Sequence, residues 1–253
     1  MSGHSKWATI KRKKAATDSA RGRLFTRLIK EITIAARNGG GNPDGNPRLR
    51  LAIQTAKTNN MPADNIKRAI QKGTGELPGV AYEEITYEGY GPSGVAILVD
   101  VVTDNANRTV SEIRHVFSRN NGNLGQSGSV AWMFHKKGHI TIPTTGQKKL
   151  LSEDDILAII LDAGADDLQS EGGVFTVTTS PHAFEAVKKA LEENGILLES
   201  ASLQMIPQNT VKVTGKDAEN LMKLMEVLEE HDDVQNVYSN FDIDDKELVS
   251  LSS

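Results

Sequence analysis

The chain has 253 residues, 38% hydrophobic and 25% charged, which is apolar material for two or three folded domains and too much for disorder throughout. It contains no cysteine, so disulfides, thiolate nucleophiles and cysteine-ligated zinc are excluded, and a reducing, cytoplasmic setting is expected. Its formal net charge of -4 conceals a division: residues 1 to 75 hold 16 Lys plus Arg against four acids, a net of +12, and the remainder carries -16, as in a polyanion-binding head joined to an acidic body.

Residues 1 to 6 lack the apolar core of a signal peptide, and the longest apolar run, 156 to 161, is far below the roughly 20 residues that span a bilayer, so no membrane insertion is expected. Residues 2 to 22 are basic and weakly periodic and read as an arm, with Lys11, Arg12, Lys13 and Lys14 in succession and Lys6 beside Trp7. Between 23 and 38 the pattern turns helical. Leu24, Phe25, Leu28, Ile29, Ile32, Ala35 and Ala36 share one face, while Arg23, Arg27, Lys30 and Arg37 lie within about 80° of one another on the opposite one. Ile34 falls on that cationic side without a local reason. The run 38 to 41, Asn-Gly-Gly-Gly, ends this helix, and Asn46-Pro47 starts a second with Leu49, Ala52, Ile53 and Ala56 inward and Arg50 and Lys57 outward. A third begins at Met61-Pro62, with Ile66, Ala69 and Ile70 inside, Lys67, Arg68 and Lys72 outside, and Gly73 as its stop. A three-helix bundle is the expectation for residues 1 to 78.

After the linker 73 to 79 the grammar changes to strands, at 82 to 89, 95 to 102 and 129 to 134, with a helix between the last two that Asp104 can cap and that buries Val110, Ile113 and Phe117. A second series reads strand 139 to 142, helix 153 to 163, strands 167 to 170 and 174 to 178, helix 181 to 194 and strand 197 to 205, closing as a βαββαβ unit of the ferredoxin-like kind. The remaining strand 211 to 213, helix 217 to 230 and strand 234 to 239 are too short to bury a core alone. The expected architecture is therefore multi-domain α and α+β: a basic three-helix head followed by two ferredoxin-like α/β domains. One of these is discontinuous, 79 to 134 plus 206 to 245, with the other inserted at 135 to 205.

Cations along a phosphate backbone release condensed counterions, so the basic run continuing into the helical stripe is a nucleic-acid-binding candidate. Trp7 can stack on an unpaired base or dock the arm onto the bundle. The glycine-rich segment 39 to 45 lacks a preceding strand and a following Gly-Lys-Ser/Thr, which argues for a helix-to-helix loop over a phosphate-binding loop. Enzyme readings would have to recruit the acids Asp154, Asp155, Asp162, Asp166 and Asp167, or the pair His135 and His139. Ser152 with Asp155 resembles a capping box, however, and Gly138 in a strand-like setting argues against a zinc-binding helix. No cofactor or metal is expected. The acidic segments 229 to 233 and 242 to 247 read as solubilising surface. A small-molecule-sensing or protein-interaction module is the alternative reading, with a metal-dependent hydrolase behind it.

Seven segments resemble the YebC/PmpR family along nearly the whole chain: GHSKW at 3 to 7, RGRLFTRLIKEI at 21 to 32, NPRLR at 46 to 50, IKRAI at 66 to 70, YEGYGPSGVA at 87 to 96, DNANRT at 104 to 109 and GNLGQSGSVAWMF at 122 to 134. The resemblance implies a helical head with two α/β domains and a non-enzymatic regulatory role tied to nucleic acid. That role is either transcriptional, on DNA, or translational, on ribosomal or transfer RNA, with the ribosome or the transcription machinery as partner. Asn105, Asn107, Arg108 and Thr109 match the family's DNxNRT motif; capping does not require Arg108, which is a further candidate contact to nucleic acid.

Overall fold

A computed structural model describes residues 18–147, 151–171, 173–244 and 247–248, with side chains from Arg21 onward. Of the arm expected at 2 to 22, residues 2 to 17, with Lys6, Trp7 and Lys11 to Lys14, lie outside the described residues, whereas 18 to 22 are helical. The protein is mixed α and β, with seven α-helices and two four-stranded antiparallel sheets among those residues.

Helices α1 (Asp18–Gly39), α2 (Pro47–Thr58) and α3 (Ala63–Thr74) share one core, built on Leu28, Ile32, Ala35, Leu49, Ala52, Ala56, Met61, Ile66 and Ala69. α1 thus includes residues 18 to 22, ahead of the start that the periodicity suggests. Buried Asn46 joins the first two helices. Its Oδ1 accepts from the amide of Leu49 at 3.1 Å as an N-cap, and its Nδ2 donates to the carbonyls of Ala35 and Gly40 at 2.7 and 2.9 Å. Gly73 does not stop α3. It lies inside the helix, where a Cβ would collide with the Thr33 carbonyl, so it permits close approach of α1 and α3; the left-handed C-cap is Gly75, at φ 82°.

The first sheet contains β1 (Glu83–Tyr90), β2 (Ala96–Thr103), β3 (Asn123–Leu124) and β9 (Val234–Ser239), in the order β3-β1-β2-β9. Helices α4 (Ala106–Arg119) and α7 (Gly215–Glu230) cover one face, where Ile97, Val99 and Val101 meet Ile113, Phe117, Leu221 and Leu228. Ala96 and Leu98 pack on the other face with Val130, Phe134 and Tyr238, and burial on both sides explains the continuous apolar run of β2. The strand expected at 129 to 134 is instead a turn leading into the next sheet. Buried Glu88 takes the amides of Gly128, Val130 and Ala131 for its carboxylate, which removes them from any ladder.

The second sheet is formed by β4 (Phe134–Pro143), β5 (Ala165–Glu171), β6 (Val174–Thr179) and β7 (Ser200–Pro207), ordered β5-β6-β4-β7. One face buries Ile140, Ile142, Phe175 and Val177 against Ile156 and Ile160 of α5 (Glu153–Asp162) and Phe184, Val187 and Leu191 of α6 (Phe184–Glu193). The chain then returns to the first sheet through β8 (Val211–Lys212), α7 and β9, and β8 pairs in parallel with β10 (Phe241–Asp242). No helix among the described residues is long and apolar enough to cross a membrane.

Candidate nucleic-acid interface

The cations of the head fall into two groups that the helical wheel does not distinguish. The first is the α1 stripe, which is turned into the protein. Arg23 pairs with Glu230 at 3.3 Å, Arg27 donates to the Glu229 carbonyl, and Lys30 meets Asp233 Oδ1 at 2.7 Å and the Asp232 carbonyl at 2.9 Å. Arg37, though exposed, donates to the Tyr82 carbonyl at 3.1 Å. The stripe expected to be an open cationic surface is therefore a docking face, and the acidic segment 229 to 233 is its counterpart instead of free solubilising surface. The end of α7 presents carbonyls with no helical partner and the negative pole of the helix dipole, both of which attract cations. Ile34, only 2% exposed on the same side, is accounted for by this burial.

Asp233 is the centre of the contact. Besides Lys30 it receives Arg108 at 2.7 Å, the Thr109 hydroxyl at 2.7 Å and the Thr103 hydroxyl at 3.1 Å. Burial alone would raise its carboxyl, but the hydrogen bonds from Lys30, Thr109 and Arg108 prevail and hold it well below the usual aspartate range. Arg108 also pairs with Asp104 at 3.1 Å, and the helix cap of α4 is Asn105, which accepts from the Arg108 amide. The side chains of the DNANRT segment that face Asp233 thus hold the head-facing end of the first sheet together.

Glu112, His231 and Asp233 bring one potential ligand atom each within 4.8 Å of one another. Those atoms are engaged within the protein: His231 Nδ1 accepts the Asp233 amide at 3.1 Å, its Nε2 lies 2.9 Å from Glu112, and Asp233 holds two cations. Elsewhere, Asp155 completes a capping box with Ser152, and exposed His135 bonds to Gln208. His135 and His139 stand on one extended strand, separated by roughly 13 Å of backbone.

The second group is open. Arg50, Lys57, Lys67, Arg68 and Lys72 on α2 and α3 are exposed, and Lys57, Lys67 and Arg68 make no hydrogen bond or ion pair among the described residues. Arg50 reaches the carbonyls of Pro43 and Asp44 at 3.2 and 3.4 Å. Arg48, which periodicity does not single out, bridges Glu31 at 2.7 Å and Glu84 at 2.5 Å; these hydrogen bonds raise its pKa and add a second link between head and first sheet. A third link joins Gln54 of α2 to Lys188 of α6 at 3.3 Å. Asp233 and Arg48 were not discernible as contacts because their partners are 17 to 203 residues away in sequence.

Comparison with known proteins follows this architecture. Residues 5–76 match the family described as TACO1/YebC protein N-terminal domain, and residues 82–241 match the TACO1/YebC second and third domain. A probable transcriptional regulatory protein of Solibacter usitatus is 60% identical over 252 residues, covering 100% of both chains. Proteins of the same description from Chlorobium luteolum and Chlorobaculum tepidum are 57% and 59% identical, each covering 99% of both chains. The crystal structure of a conserved hypothetical protein from Aquifex aeolicus superposes with a TM-score of 0.81 at 47% identity, covering 90% of this chain and 93% of that one.

Proposed function

Since the chain belongs to the TACO1/YebC family, we propose that it is a cytoplasmic, non-enzymatic regulator of gene expression that binds nucleic acid through the open cations of α2 and α3 together with its basic N-terminal residues. The observation that carries this reading is the exposure of Lys57, Lys67 and Arg68 without an internal counter-charge, beside Arg50 and Lys72, in a segment of net +12. Unpaired cations on helices meet phosphates without first breaking an internal ion pair. The description of the relatives as transcriptional regulatory proteins supports the regulatory part. Three parts are proposed: residues 1 to 78 as a three-helix bundle, 79 to 134 with 206 to 245 as one ferredoxin-like unit, and 135 to 205 as the other. The antiparallel order β5-β6-β4-β7 supports the last.

Filter binding of the full chain to a DNA duplex and to a structured RNA tests the interface. For the variant Lys57→Glu, Lys67→Glu, Arg68→Glu we expect weaker binding to both polymers. If the three cations each meet a phosphate, the log-log salt slope on duplex DNA becomes shallower by about 2.7. An unchanged slope and affinity would remove this surface. Crosslinking in cells followed by sequencing of the bound polymer distinguishes promoter DNA from ribosomal or transfer RNA.

A further inference from the structure

The turn between the two sheets holds Trp132 in the open. It is 64% exposed, the largest exposure of any large hydrophobic side chain among the described residues. An exposed indole is ordinarily free to move, but this one is restrained. Its Nε1 donates to the Ser129 carbonyl at 3.1 Å. The backbone on its N-terminal side is held by Glu88, which accepts from Gly128 at 2.6 Å, Val130 at 2.7 Å and Ala131 at 2.8 Å. Val130 and Phe134 are buried in the small core formed with Ala96, Leu98 and Tyr238, so the chain is anchored on both sides of the ring. Burial would raise the Glu88 carboxyl, but the three amides outweigh it and keep it below its ordinary value, so the charged form that holds the turn persists at neutral pH.

This geometry discriminates among ligands. The turn's amides at Gly128, Val130 and Ala131 are committed to Glu88, so they cannot serve as a phosphate cradle; what the turn offers is the ring. The chain outside residues 1 to 75 carries -16, which repels any long stretch of polyanion backbone and suits contact with a single extruded base. Resting on the reading of the head as a nucleic-acid binder, we infer that Trp132 is a second contact, a preorganised stacking platform for one unpaired nucleobase of the polymer whose backbone the head holds.

The test compares the full-length protein with Trp132→Ala, Trp132→Phe and the control Leu161→Ala, an exposed apolar residue on another element. Affinity is measured for a 20-nucleotide single-stranded RNA and for a blunt DNA duplex. Loss of one stacked base should weaken single-strand binding roughly 5- to 150-fold in Trp132→Ala, with partial retention in Trp132→Phe and no change on the duplex or in the control. The chain has two tryptophans, so in a Trp7→Phe background the indole emission comes from Trp132 alone and should be quenched by the single-stranded RNA. Single-strand binding by the unaltered protein, with Trp132→Ala unchanged and the emission unquenched, overturns the stacking site and leaves the head reading intact. Failure of the unaltered protein to bind either polymer overturns the head reading and this inference with it.

Discussion

Asp233 takes a cation from α1 and another from α4, and neither has an alternative carboxylate as well buried. Removing one partner of a buried pair leaves the other charge desolvated and unpaired, which costs about 3 kcal/mol or more. Asp233→Ala is therefore expected to lose about that much stability in urea unfolding. The pH dependence has a definite sign. Because the native carboxyl is held below its unfolded value of about 3.9, its contribution is fully present above that value and is lost as pH falls through the native one. The stability difference between the unaltered protein and Asp233→Asn should thus be largest near neutrality and shrink below about pH 4; a difference independent of pH would contradict the assignment. Little of this is legible in the sequence. The acids at 229 to 233 look like ordinary solvated charge because the residues that pair with them lie 125 to 207 positions earlier. At Asp104 and Asn105 the local chemistry offers two capping side chains, and only the Asp104 pairing with Arg108 leaves the cap to Asn105.

At the level of elements, charge on the head has two different consequences according to the helix that bears it. Reversing the stripe with Arg23→Glu, Arg27→Glu, Lys30→Glu places an anion opposite Asp233 and beside the C-terminal carbonyls of α7. The expected outcome is a head detached from the first sheet, seen as a fall in stability of several kcal/mol, dominated by position 30, and faster proteolysis near 75 to 82. The reversal of Lys57, Lys67 and Arg68 should leave unfolding within about 0.5 kcal/mol per substitution, because these side chains touch nothing charged among the described residues. Equal stability losses from the two triple variants would show that the helices are not differentiated in this way. The periodicity of α1 marks both of its faces correctly as apolar and cationic but does not say which is solvent-facing, since an ammonium group can be satisfied by phosphate, carbonyl or carboxylate alike. Buried Ile34 within the cationic face is the one local sign that it is covered.

For the whole molecule, the acidic body covers part of the positive charge it is joined to. Residues 1 to 78 alone should therefore bind polyanions more tightly than the full chain, with a steeper salt dependence, because Arg23, Arg27 and Lys30 are released from Glu229, Glu230 and Asp233. Filter binding at two salt concentrations, with circular dichroism to verify helicity, checks this. If the fragment binds no better than the full chain, the acidic segment masks nothing. The same arrangement gives the head polar links beside both sheets, through Asp233 and Glu84 next to the first and Lys188 of α6, which covers the second.

Helices, most strands and the separation of charge followed from the sequence by itself, because each depends on residues within a few positions of one another: periodicity of two or 3.6, a capping Asn46, a glycine after a helix. Tertiary structure decided what depends on distant partners. Glu88 converts an alternating apolar segment into a turn by capturing amides 40 to 43 residues ahead, and Gly73 serves a helix crossing where local grammar reads a stop. Lys30 is buried because Asp233 is there to receive it. The physical reason is the same in each case: a polar group must be satisfied when it leaves water, and sequence shows the group while only the fold shows the partner.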